Sequence, residues 1–250
     1  MIQRILFPVA ALILALVFWQ LAVDWYDIPK FVLPSPLAIY SAFTTQASNL
    51  FAAAFVTLKV TLTALLFAVF SGVLLALFFS ISRTFEATFY PFAVVLQVTP
   101  IVSIAPLVII WVGIENVDRA AIIIAWLAAF FPILANMSAG LRSVDKDLED
   151  IFALYGASRW QKFWLLEWPT AQPYLLASLK ISSGLALIGA VVAEFVAGSG
   201  SATGLAWRIL EAGHRLQIET MFAGLLMLSL LGMALFYAFS TLERIVCRRQ

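Results

Sequence analysis

Charge is scarce in this chain. Of its 250 residues, 15 are basic and 14 acidic, 12% in all, where soluble domains carry about 25%. That near balance leaves no cationic surplus to neutralise a nucleic-acid backbone, so nucleic acid is excluded as a partner. Cysteine is scarcer still: Cys247 stands alone, which excludes an intramolecular disulfide and a thiolate metal cluster. The single histidine, His214, has no second histidine to share a metal. What the chain has instead is apolar surface, 63% hydrophobic residues with a mean hydropathy of +1.00. That excludes both a disordered tail and an ordinary cytosolic globule, and predicts one integral-membrane domain over 1–250.

Six stretches reach the roughly 20 apolar residues that a bilayer core needs. They lie near 5–24, 53–80, 89–113, 119–140, 171–197 and 217–242. The first lacks a small-residue cleavage site before Asp24 and reads as a retained helix rather than a removed leader. Trp19, Trp25 and Tyr26 suit its outer headgroup belt, and Leu33-Pro34-Ser35-Pro36, which cannot be helical through both prolines, reads as an external connection. With both termini cytoplasmic, nine lysines and arginines fall inside and four outside, the bias expected of cationic loops retained during insertion. The expectation is an all-α, six-span protein of the bacterial cytoplasmic (inner) membrane, N-in and C-in.

The one polar island is Leu141 to Thr170, predicted to be cytoplasmic. Asp145 is placed to cap a short helix whose Leu148, Ile151, Phe152 and Tyr155 share a face, with Asp147 and Asp150 on the other. Gly156 can take the left-handed conformation that ends a helix. Ser158-Arg159-Trp160-Gln161 is a capping-box sequence opening a second helix, with Trp160, Phe163 and Trp164 on its apolar side. Pro169 is expected to end that helix and to open the fifth span. The physics leaves two uses for such an elbow: a handle for a partner, or an amphipathic element resting in headgroups. The glycine bend between two caps argues for the handle.

The run Asp150-Ile151-Phe152-Ala153-Leu154-Tyr155-Gly156-Ala157-Ser158, with Pro169 thirteen residues after the glycine, resembles the EAA loop of ATP-binding-cassette importer permeases. The likeness extends over about residues 30–245 and is nearest to the branch serving taurine, alkanesulfonates, nitrate and thiamine-precursor pyrimidines. It implies the type I importer fold, with residues 141–170 as a coupling loop that docks in the cleft of a cytoplasmic ATPase. On this resemblance Asp150, Ile151, Phe152, Tyr155, Gly156, Ala157, Ser158 and Pro169 are the coupling residues. It also implies two cytoplasmic ATP-binding-cassette subunits that carry the ATP and Mg²⁺, and a second permease subunit, a homodimer before a heterodimer. The last implied partner is a periplasmic or lipid-anchored substrate-binding protein. This chain departs from the pattern in three places: Asp150 stands for the glutamate, Ile151 and Phe152 for the two alanines, and Trp168 for the leucine before the proline.

In the third span, Pro100 and Pro106 each deny the helix a backbone donor, so the freed carbonyls must face protein or a wet cavity. Gln97, Thr99 or Pro100, and Ser103 are spaced to share one helix face, either lining a substrate path or bonding to neighbouring helices. Relatives that carry anions often have a basic residue where Gln97 stands, so the resemblance leans towards a neutral, hydrogen-bonding heteroaromatic substrate over a sulfonate. Glu194, the acid inside an apolar run, is either an interior group that joins Gln97, Thr99, Pro100 and Ser103 in lining the substrate path, or an interfacial or helix-packing one. Ser182, Ser183 and Gly184 suit close helix packing, and Lys180 is placed to snorkel to the inner interface. Gly198 to Gly204 lacks the lysine of a phosphate loop and follows no strand, so it reads as an external connector. A secondary transporter or channel needs an inverted repeat or coupling acids that are not visible, and an embedded enzyme needs a catalytic cluster that cannot be assembled. The chain is read as a transport subunit with no catalytic residues, no metal and no ATPase activity of its own.

Overall fold

The computed structural model describes residues 2–113, 115–197 and 203–247. Among them the protein is helical, in two compact units: Met1–Val56 with Thr203–Leu230, and Thr57–Ala202 with Leu231–Gln250. Arg248, Arg249 and most of the predicted connector at 198–204 lie outside the described residues.

The first unit contains α1 (Ile2–Trp25), α2 (Pro36–Thr45), the start of α3 (Ala47–Ile81), α10 (Leu205–His214) and the start of α11 (Ile218–Cys247). Only one of the two nearby prolines is helical: Ser35 Oγ accepts from the Ala38 backbone N–H at 3.3 Å and Pro36 occupies the first turn, where a missing donor costs nothing. The Leu37 N–H reaches back to Gln20 Oε1 at 3.3 Å, tying α2 to α1. Helix α10 was not expected from the sequence. It buries Leu205, Ala206, Ile209 and Ala212, and Ile209 packs so close to Gly224 that a Cβ there would stand 2.7 Å from Ile209 Cγ1.

The second unit is built on α6 (Val117–Arg142) and α9 (Trp168–Ala197). Their contact is made of small residues, as helix pairs in lipid require for close approach. A Cβ on Gly189 would lie 2.7 Å from Ala125 Cα, and Ser182 Oγ donates to the Ala129 carbonyl at 2.9 Å. Ser182 and Ser183 are buried, so packing is what these serines serve. Ile133, Leu134 and Met137 of α6 are fully buried beside them.

The predicted third span is a correction. In place of one kinked helix there are two, α4 (Arg83–Val98) and α5 (Ile101–Val112), bent by 100° at Thr99–Pro100. Proline permits the break, since Pro100 has no N–H to continue the α4 ladder and disfavours helical geometry at Thr99, which sits at ψ 126, and the packing of α5 on α6 and α9 sets the direction of the bend. The pair is nevertheless one crossing. The end of α3 at Phe79 and Ser80, the start of α4 at Arg83, and the end of α6 at Arg142 line one cavity. Arg142 pairs there with Glu86. Because α6 is a single apolar helix that begins just after α5, α4 and α5 together must run from the cavity side to the far side. With α1, α3, α6, α9 and α11 each long and apolar enough to cross, the protein has six crossings.

The polar island contains α7 (Lys146–Leu154) and α8 (Arg159–Lys162). Here Pro169 does not end a helix, which is a second correction. From Arg159 to Ala197 the chain is continuous over 39 residues, α8 passing through a π-helical turn at Phe163–Glu167 into α9. The Trp168 N–H reaches the Phe163 carbonyl, and Thr170 Oγ1 donates to the Leu166 carbonyl at 2.7 Å. The helix thus continues through Pro169 by way of a π turn. The rod is about 58 Å long at 1.5 Å per residue, well beyond the ~30 Å of a bilayer core, so its first turns stand outside the membrane.

Candidate functional site

The elbow between α6 and α9 is built from local hydrogen bonds. Asp145 Oδ1 accepts from the Asp147 N–H at 2.9 Å and caps α7, with Asp147 and Glu149 in the first turn, where the helix dipole favours acids. At the other end the Gly156 N–H donates to the Ala153 carbonyl at 3.1 Å and the Ala157 N–H to the Phe152 carbonyl at 3.0 Å. That is a Schellman closure, and it requires the φ of +66° that Gly156 adopts. The capping box then opens α8: the Gln161 N–H donates to Ser158 Oγ at 3.3 Å and the Ser158 N–H to Gln161 Oε1 at 2.8 Å.

This precision of backbone contrasts with the exposure of the side chains. No residue of α7 or α8 is buried, and Leu154, Tyr155 and Trp160 are 86%, 87% and 71% exposed. Ile151, Phe152, Tyr155, Gly156 and Ala157 surround one hollow of about 440 Å³ together with Gln161 and Leu165. Five of the expected coupling residues therefore meet at one place. Ser158 stands beside them as the cap, Asp150 is exposed on α7, and Pro169 lies apart in the first turn of α9. Trp160, Phe163, Trp164 and Trp168 form a chain of ring contacts 5.2 to 6.4 Å apart along the rod.

Across the elbow, Lys162 Nζ lies 3.0 Å from Glu149 Oε1 and 3.4 Å from Glu167 Oε1. Burial draws this ammonium towards neutrality, but hydrogen bonds and charge attraction from Glu149 and then Glu167 outweigh it and hold Lys162 above the ordinary lysine range. The pair lines a cleft of about 750 Å³ that also receives Arg83, Glu86, Arg142 and Lys146.

The expected path residues are only partly brought together. The 100° bend puts Gln97 on α4 and Ser103 on α5, so the single face expected for Gln97, Thr99, Pro100 and Ser103 does not exist. Gln97, Pro100 and Ser103 are exposed at the bend, while Thr99 is half-buried with its hydroxyl on the Val95 carbonyl at 2.7 Å. Glu194 is interior, 4% exposed, and accepts a hydrogen bond from Thr57 Oγ1 at 3.0 Å. Lys180 pairs with Glu243 of α11 at 2.6 Å. Thr57, Glu149 and Glu243 are the residues that sequence reasoning missed; for Thr57 and Glu243 the partner lies 137 and 63 positions away. Among the described residues no group of three potential ligands could hold a metal.

Six crossings and an exposed, capped elbow between α6 and α9 define a multi-pass membrane protein. More particularly, residues 68–249 match the family described as "Binding-protein-dependent transport system inner membrane component", and the chain belongs to it. It is 32% identical over 95% of its length to a riboflavin transport system permease protein of Chloroflexus aurantiacus, covering 87% of that protein. It is 30% identical over 96% of its length to a formylaminopyrimidine transport permease protein of Halalkalibacterium halodurans, covering 94% of it. The fold is that of a chain in inward-facing crystals of the MetNI methionine ABC transporter, with TM-score 0.67 at 17% identity over 81% of this chain and 98% of that one. Permeases of this family are not enzymes on their own.

Proposed function

We propose that this chain is the membrane-spanning half of an ATP-driven importer, and that the elbow of α7, Gly156 and α8 is the surface through which a cytoplasmic ATPase drives it. The observation that carries the reading is the pairing of a fully capped backbone with unburied apolar side chains around the 440 Å³ hollow. A segment held so closely by its own hydrogen bonds, with its hydrophobic groups left outward, suits reception of a partner. Asp150, Ile151, Phe152, Tyr155, Gly156, Ala157 and Ser158 make the contact, and Pro169 starts the rod that carries the motion onward. ATP and Mg²⁺ reside on two such ATPase subunits, a second copy of this chain completes the passage, and an extracytoplasmic binding protein delivers substrate. Both termini are cytoplasmic. ATP-driven closure biases the bundle between two openings because the ATPase binds the elbow differently in each. The test is purification of the chain with its ATPase: Gly156→Pro, or removal of 153–161, releases the ATPase while the chain still inserts. Uptake that continues without any ATPase would sink the proposal.

The substrate we infer is a neutral, hydrogen-bonding heteroaromatic molecule. Two relatives named for heteroaromatic compounds support this, as do the uncharged Gln97 and Ser103 exposed at the α4–α5 bend. A competition assay with an aminopyrimidine and an alkanesulfonate decides it, and uptake of the sulfonate alone would reverse the assignment.

A further inference from the structure

The elbow has a mechanical weakness at Gly156. Nothing lies within 4 Å of where a Cβ on this glycine would be, so no side chain packs against the glycine itself. Helix α7 buries no residue of its own, and so is not fixed in direction by a hydrophobic footing. At the backbone the joint is crossed by the Ala157 N–H to Phe152 carbonyl bond, and any bracing by side chains has to come from groups that reach over it. Among the described residues, the ion pair that crosses the joint is Lys162 with Glu149, and the same ammonium continues to Glu167 in the π turn.

One side chain therefore touches the element before the glycine, stands on the element after it, and reaches the turn where the rod enters α9. Its position on the rod is fixed by the capping box, which sets the first turn of α8 at Ser158 and Gln161. We propose that Lys162 is a positioning residue that stiffens the elbow, so that displacement of α7 is delivered to α9 rather than lost at Gly156. This rests on the reading of the elbow as the ATPase dock, but concerns transmission through it rather than docking. Exposed ion pairs contribute little to stability, so the expected consequence of losing this one is uncoupling and not unfolding.

The experiment uses the complex of chain and ATPase in proteoliposomes, with Cys247→Ser and a reporter Val102→Cys at the α4–α5 bend, where Val102 is exposed. Two quantities are read: phosphate release from ATP, and the rate at which a membrane-impermeant maleimide labels the reporter with and without ATP. In the Lys162 complex ATP changes the labelling rate. In Lys162→Met the ATPase still co-purifies and still hydrolyses ATP, but the ATP-dependent change in labelling shrinks at least about fivefold, the lower end of ordinary coupling between sites. Lys162→Arg restores it, which a mere loss of folding would not permit, and Glu149→Gln reproduces the loss in part. A full ATP-dependent change in both Lys162→Met and Glu149→Gln would overturn the proposal. So would loss of the ATPase from the Lys162→Met complex, because Lys162 would then act in docking. If the unsubstituted complex retains no ATPase, the reading of the elbow itself fails and the clamp falls with it.

Discussion

Two bends in the second unit redirect the chain by opposite means. At Gly156 the backbone enters the left-handed region and closes α7 with its own hydrogen bonds, the Ser158–Gln161 capping box opens α8, and the apolar side chains are left in solvent. At Thr99–Pro100 the backbone stays in ordinary regions, and a missing donor interrupts the helix ladder. Helix α5 is then held in place by burying Ala105, Val108 and Ile109 against α6 and α9. The first bend is specified by the local chain and is free to be gripped by another molecule. The second is specified by its neighbours and belongs to the bundle.

The sharpest way to break the comparison is Gly156→Pro. Proline cannot adopt a positive φ, so the Schellman closure is lost and ATP-driven uptake should vanish while the six-helix bundle still inserts and keeps its thermal stability. Gly156→Ala, left-handed at a cost of about 1–2 kcal/mol, should retain a fraction of that uptake. Pro100→Ala comes next. It returns the donor, and because packing holds α5, the bend should persist; the distance between spin labels at Val95 and Leu107 would stay nearly unchanged while uptake falls modestly. Straightening of the pair on that substitution would show that proline alone makes the bend. Ser158→Ala should remove only a cap, about 0.5–2 kcal/mol of local helix stability, seen as faster amide exchange in α8 with a small loss of uptake.

The smallest effect is the response to alkali. The Lys162 ammonium is held above its ordinary value, so the stability it gives the elbow is fully present below about 10.4 and is lost as pH rises through the higher folded value. The charged groups lining the hollows that hold it are Glu149 and Lys146 from α7, Arg159 from α8, Glu167 from the π turn, Glu86 and Arg83 from α4, and Arg142 from α6. Coupling measured by reporter labelling should therefore hold from neutral to mildly alkaline pH, and a decline already complete at pH 9 would contradict the assignment.

The same contrast explains what was legible in the sequence. Asp145, Gly156, Ser158 and Gln161 act on atoms two to five residues away, so their spelling was sufficient to place both helices of the elbow. The 89–113 stretch is apolar throughout, and hydropathy cannot distinguish a kink from a 100° turn; that depends on what α5 packs against. Helix α10 was missed because it is short and buries two alanines with its two larger apolar residues, a weak stripe that makes sense only opposite Gly224. Pro169 was read as a terminator because the compensating π turn is not written in any one residue. Of the path residues, Glu194 could be recognised as unusual from its apolar surroundings, but Thr57 became its partner only when α3 and α9 met.

The π turn at Phe163–Glu167 also sets a phase. Closing a hydrogen bond one residue later than an α-helix does inserts, in effect, an extra residue, and each residue turns the helix by about 100°. The aromatic column of Trp160 and Trp164 is thereby rotated about the rod relative to the Ser182 and Gly189 face that fits α6. A chain one residue shorter at this point would keep every crossing and every cap yet aim its elbow at a different quadrant, making the direction the elbow faces a matter of counting residues.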